Sequence, residues 1–178
     1  DPNGKLNLES IDFDDPGAVI ETAGGNIAIN HTGLVTLEAD LNPNGGTVSG
    51  TATQVIVTPS GKIQDGLDVS SPIEIGDVMV KPGIYTGVDN RDINVRGKAL
   101  TLHSENGPET CIIDLQQSAY TAALSFNNGE DSNSVMEGFT IRNGTTKWPL
   151  RSIIYISSDP TISNCIIKNN GGEYGSVY

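Results

Sequence analysis

The stretch Ile153 to Asn170, IIYISSDPTISNCIIKNN, decides the reading of this chain. It holds three short segments of alternating apolar and polar residues, IIYIS, TISN and CIIKN, with a tight turn at Ser158-Asp159-Pro160 and a bend after Asn164. A period of two turns one side of a strand inward and the other outward. The Asp-Pro pair excludes a continuous helix, because proline lacks an amide hydrogen and pushes the preceding residue out of helical geometry. The same pattern stands once before, in Leu124 to Gly144, where Val135 to Asn143 aligns with Thr161 to Asn169. A third copy lies in Leu100 to Leu115, where Cys111-Ile112-Ile113-Asp114 matches Cys165-Ile166-Ile167-Lys168. Aligning Cys111, Phe139 and Cys165 gives spacings of 28 and 26 residues. Short strands and Asn/Gly turns repeating at that period are the signature of a solenoid whose coils stack.

Pro160-Thr161-Ile162-Ser163-Asn164-Cys165-Ile166-Ile167-Lys168-Asn169, followed by Gly171-Gly172-Glu173-Tyr174-Gly175, resembles the coils of bacterial surface and secreted repeat proteins. Lys62 to Asp68 and Gly76 to Tyr85 are similar to the beginning of such coils. Residues 62–178 thus look like the right-handed parallel β-helix of the pectate-lyase-like superfamily. The resemblance implies an all-β fold, a short capping helix near 60–71, and an extracellular or cell-surface location. It implies little about activity, because the superfamily holds lyases, hydrolases and adhesins alike.

Composition agrees with a thin core. Hydrophobic residues make up 36% of the 178 and aromatics 5%, while 21 glycines and 9 prolines supply turns. A net charge of −12 excludes nucleic acid and anionic membrane as natural partners. No apolar run approaches the 18 residues of a membrane-crossing helix. Cys111 and Cys165 share a column two coils apart, about 9.6 Å at the usual strand spacing. That exceeds the reach of a disulfide, about 7 Å between Cα atoms, so both read as buried apolar residues.

Residues 1–58 lack the repeat but are β-rich, with Leu6 to Leu8, Ala18 to Ile20, Asn26 to Ile29, Leu34 to Leu37 and Gln54 to Val57 as strand candidates. They are either extra coils or a separate small sheet, and 59–178 is the β-helix, ending mid-coil. Ser60 to Ser71 is the one helix candidate, with Ser60 as N-cap and Ile63 and Leu67 on one face. Asp77 to Tyr85 reads as a strand turning at Lys81-Pro82-Gly83, and Asp92 to Leu102 as two strands around Arg96-Gly97-Lys98.

Enzymes of this fold gather carboxylates on one face, sometimes with Ca²⁺. Glu130 and Asp131 in one turn and Asp159 in the corresponding turn of the next coil are the candidate Ca²⁺ or acid/base group. The other reading makes Asp131 and Asp159 turn-formers that bond nearby amides. Asp12, Asp14 and Asp15 form a second acidic cluster, read as an exposed turn. His31 and His103 lack partners at zinc-ligand spacing. Asn143 and Asn169 fall in one column and suggest an internal ladder. Tyr85, Tyr120, Trp148, Tyr155, Tyr174 and Tyr178 are candidates for stacking on sugars, with Tyr155 facing outward.

The resulting expectation is a non-catalytic extracellular module for structure, adhesion or assembly, with no cofactor beyond a possible Ca²⁺. The alternative is the N-terminal fragment of a polysaccharide lyase or glycoside hydrolase. Gly175, Ser176, Val177 and Tyr178 begin a further coil whose bare edge invites head-to-tail self-association.

Overall fold

The computed structural model describes residues 6–7, 19–118, 122–146 and 153–172. These form an almost wholly β structure with one short helix, and every strand pairing is parallel. In chain order the first strands are β1 (Leu6–Asn7), β2 (Val19–Glu21), β3 (Ile27–Ile29), β4 (Leu34–Leu37), β5 (Asp40–Asn42), β6 (Val48–Gly50) and β7 (Gln54–Val57). The helix α1 (Ile63–Val69) follows, then β8 (Gly76–Val80), β9 (Gly83–Tyr85), β10 (Ile93–Asn94), β11 (Leu100–Ser104), β12 (Cys111–Asp114) and β13 (Leu124–Phe126). The remainder are β14 (Val135–Glu137), β15 (Thr140–Arg142), β16 (Thr145–Thr146), β17 (Ile154–Ile156), β18 (Thr161–Ser163), β19 (Ile166–Lys168) and β20 (Gly171–Gly172). Among the described residues no helix is long and apolar enough to cross a membrane.

The largest sheet has six strands in the order β18-β14-β11-β8-β7-β4, and a second has four in the order β19-β15-β12-β9. Two three-stranded sheets, β1-β3-β6 and β10-β13-β17, complete the frame with the pairs β2-β5 and β16-β20. Register carries like onto like. Val35, Val55, Val78, Leu102, Met136 and Ile162 succeed one another across the six-stranded sheet, all but Ile162 buried. Ile113 pairs with Ile141 and Ile141 with Ile167, at the spacing the repeat predicts. Cys111 and Phe139 are 0% exposed, and Cys165 packs against the core half-buried, with both thiols free.

Strands β4 and β7, from the region without the repeat, belong to the same six-stranded sheet as β8. This region has a period of its own: Leu6 pairs with Ile27 and Ile27 with Val48, a step of 21 residues. Its trace in the sequence is Gly24-Gly25 recurring as Gly45-Gly46. Strands β5 and β6 escape sequence reading because DLN and VSG are short and half polar.

The helix does not cap an end. It lies between β6 and β10, with strands before and after it, and all seven of its residues are buried. Its position is that of a strand between two three-stranded sheets, and backbone bonds tie its C-terminal end to the earlier layer: Ala52 N–H donates to Val69 O and Ser71 N–H to Ala52 O. Ser60 is not its N-cap. Lys62 holds that position without a side-chain bond, and the free amides are met from a later loop, Ile63 N–H by Asn90 Oδ1 and Gln64 N–H by Asp89 O, both at 2.9 Å. Gly66 is needed for the close approach, since a Cβ there would stand 2.5 Å from Val57 Cγ2.

Candidate functional site

The expected carboxylate group at Glu130, Asp131 and Asp159 does not assemble as a site. Glu130 is 3% exposed and spends both oxygens on protein donors. Oε1 accepts from Gly97 N–H at 2.9 Å, and Oε2 accepts from Asn128 N–H at 2.9 Å and Ser158 Oγ at 2.7 Å. Gly97, Glu130 and Ser158 lie in the turns leading to β11, β14 and β18, so one carboxylate stitches three successive layers. Burial pushes its pKa up, but the bonds from Asn128, Gly97 and Ser158 outweigh burial and hold it below the ordinary value. Asp131 is a turn-former, accepting from Asn133 N–H at 2.9 Å, while the Asp159 amide donates to Glu130 O. Among the described residues no three of His, Cys, Asp and Glu are grouped to hold a metal ion.

The site that the fold does build surrounds α1. Gln64, Asp65 and Asp68 of the helix meet Asp40 of β5 and the Asp89–Arg96 segment around β10. An open depression of about 450 Å³ is lined by Asp65, Asp68, Gln64, Asp89 and Arg96, and an adjoining one of about 600 Å³ adds Arg91, Asp92 and Asn94. Sequence reading misses these residues because nothing at the level of spacing sets Asp65 beside Asp40 or Asp89. They converge only because the helix occupies the place of a strand.

Gln64, Asp65, Asp68 and Lys98 each have a bonded partner in this cluster. Gln64 replaces a backbone ladder, donating from Nε2 to Asn94 O at 3.2 Å and accepting from Asn94 N–H at 2.8 Å. Its Nε2 also donates to Asp68 Oδ1 at 3.0 Å, where Arg96 Nη1 stands at 3.0 Å. Lys98 Nζ covers the C-terminal end of the helix by donating to the carbonyls of Leu67, Asp68 and Ser70 at 2.6, 3.2 and 2.8 Å. Asp65 Oδ2 accepts from Leu41 N–H at 2.9 Å.

The electrostatics are unbalanced. Burial raises the Asp65 pKa to about 8; the Leu41 amide opposes this, while Asp40, Asp89 and Asp68 add to it. Asp68 is also raised by burial, against the opposing pull of Arg96, Gln64 and Lys98. Asp89 is raised by burial and by Asp40, against Lys62 and Arg96. Burial lowers Lys98. Chemically this is one buried carboxyl whose pKa burial pushes up, beside an Asp68 carboxyl paired to arginine, at the wall of an open depression.

The remaining candidates fall elsewhere. Asn143 and Asn169 are turn residues with φ of 57° and 55°, not an internal ladder; Asn169 is exposed, and Asn143 Nδ2 donates to the Asp114 carboxylate. The side chain that does stitch layers there is Asn170, which accepts from Gly144 N–H and donates to Ile141 O. His103 pairs with Asp77 at 2.9 Å on the outward face of the six-stranded sheet. Tyr85 is buried and donates to Val57 O and Lys81 O, so it is closed to sugars, whereas Tyr155 faces outward at 37% exposure. Asp12, Asp14, Asp15, Tyr120, Trp148, Tyr174 and the edge Gly175, Ser176, Val177 and Tyr178 lie outside the described residues. Comparison with protein-family models finds none that matches the chain. No curated protein matches it, and no solved structure does.

Proposed function

We propose that the chain is a non-catalytic module of a right-handed parallel β-helix, acting at a cell surface or outside the cell in structure, adhesion or assembly. The observation that carries this reading is the repeated itinerary of the chain: from β9 to β19, with the two-residue β16 set aside in its own pair with β20, it returns to the same three sheets in the same order, laying like residues on like. Such coils are scaffolds that extend by adding strands. The well-placed carboxylates Glu130 and Asp114 serve the scaffold, Glu130 through the three bonds above and Asp114 through Arg142 and Asn143. Among the described residues β17, β18 and β19 stand at the ends of their sheets, and Ile156, Ile162, Cys165 and Ile167 there are only partly buried. An edge of that kind recruits further strands, and a second copy of this chain is the partner we assign to it. Sedimentation velocity over a range of concentrations tests the assignment. Mass should grow with concentration and revert to monomer in Ile162→Lys; a monomer at every concentration would refute assembly by this edge.

A second reading, part of a polysaccharide lyase or glycoside hydrolase, is favoured by one observation, the carboxyls of Asp65 and Asp68 side by side with Arg96 at the wall of an open depression. It requires that acidic polysaccharide be cleaved by the intact chain and that Asp65→Asn abolish cleavage. Absence of new chain ends after prolonged incubation rules it out.

A further inference from the structure

Asp65 is nearly sealed from water at 3% exposure and accepts one bond, from Leu41 N–H of β5. Among the described residues it has no ion pair. Strands β6 and β7, packed on α1, carry no titratable side chain. Strand β8 carries Asp77, which is turned outward to His103. Strand β10 carries none, but the loop before it brings Asp89, Arg91 and Asp92, and the turn after it brings Arg96 and Lys98. Strand β5 brings Asp40, and the helix itself Asp68, with Lys62 just before it.

The cations are already committed. Arg96 is on Asp68, Lys98 is on three carbonyls, Arg91 donates to Ser118 Oγ, and Lys62 stands 4.0 Å from Asp40. A fourth negative charge at Asp65 would therefore join Asp40, Asp68 and Asp89 without a cation of its own, on a side chain nearly sealed from water.

We propose that Asp65 is a pH-sensitive tie between α1 and β5: charging its buried carboxyl, which no cation meets, frees α1 from β5, so that this layer loosens as pH rises while β11 to β15 stay closed. The Leu41 amide donates to either form of the carboxyl, so the change lies in charge and not in that bond. In the open layer the group returns toward its ordinary value of 3.8, and in the closed one it keeps its proton to about 8. The stabilising contribution is thus complete below the lower value, falls as pH rises between the two, and is gone above the upper one. Its limiting slope is about tenfold in the closing constant per pH unit.

The test is amide hydrogen exchange of the full chain, read by mass spectrometry and corrected for the intrinsic effect of pH. Protection in residues 40–50 and 63–70 should fall more than tenfold between about pH 6 and about pH 8.5, while residues 100–114 keep theirs. In Asp65→Asn, which retains an acceptor for Leu41 N–H, protection should be independent of pH. Equal loss in both regions, or a loss that persists in Asp65→Asn, overturns the proposal. Should that variant fail to fold, carboxyl-carbon NMR of the unaltered chain decides: an aspartate titrating above neutrality supports the proposal, and its absence refutes it.

Discussion

Replacing Glu130 with glutamine tests the claim that a carboxylate, and not its shape, joins three layers. The change keeps the volume of the side chain but trades one acceptor oxygen for an NH₂ group. Whichever way the amide turns, one side loses its acceptor: either Gly97 N–H, or Asn128 N–H together with Ser158 Oγ. Hydrogen bonds to a charged group contribute about 1.5–3 kcal/mol each, roughly twice a neutral one. One such bond is lost and the others fall to neutral strength. Gly97 is exposed, so its amide turns to water and the cost lies near the low end, about 3 kcal/mol. For a chain of this size that is a fall of about 6–12 °C in Tm. The gap should also depend on pH in a definite sense. The folded pKa of Glu130 lies below its ordinary 4.5, so its contribution is present above that value and is lost as pH falls through the folded one. Urea unfolding followed by circular dichroism, at neutral pH and at about pH 3, measures both. A variant as stable as the parent at neutral pH, or a gap that fails to narrow in acid, refutes the reasoning.

Phe139→Ala empties a fully buried position between Cys111 and Cys165 and should cost about 3–5 kcal/mol in urea unfolding; less than about 1 kcal/mol would mean the core is not organised around that column. Gly66→Ala, which in an ordinary helix would gain up to about 1 kcal/mol, should instead lower Tm, because the new methyl meets Val57 and Val78; unchanged or raised stability would show that the helix has room. A thiol reagent should modify Cys165 before Cys111, which is buried with its pKa raised to about 12, and denaturation should release both thiols; a single reactive thiol would contradict the free pair.

The repeat from Leu100 onward is legible because its strands are made of Ile, Val and Phe and its turns of Asn and Gly, so the period of two and the larger period appear together. The spacing of Cys111, Phe139 and Cys165 yields the same register as the pairing of Ile113, Ile141 and Ile167. The first strands stay hidden because segments such as Asp40–Asn42 carry one inward residue each, too few for a period to show. The helix is legible as a helix, from Ile63 and Leu67, but its place is not. Position in a stack is set by what comes before and after it in space, and Ser60 to Ser71 says nothing of Asn90 or Lys98. The carboxylate cluster around Asp65 is invisible for the same reason. Glu130, by contrast, stands out in the sequence for its charge, yet both its oxygens accept from amides and a hydroxyl of three successive layers, which its position in the sequence does not reveal.

The substitution of a helix for a strand has a mechanical consequence. Elsewhere successive layers are held by rows of backbone bonds, which do not depend on the identity of the side chain. Across α1 toward β10 the connection runs through Gln64, Asn90 and Lys98, with only Gln64 N–H to Asp89 O contributed by backbone alone. Tension applied along the direction in which the layers succeed one another would load this junction through the β7–β8 ladder on one side and, on the side of α1, a handful of amides and one ammonium group. Under a pulling force the layers should therefore separate first on the side of α1, leaving the β7–β8 ladder to give way after it.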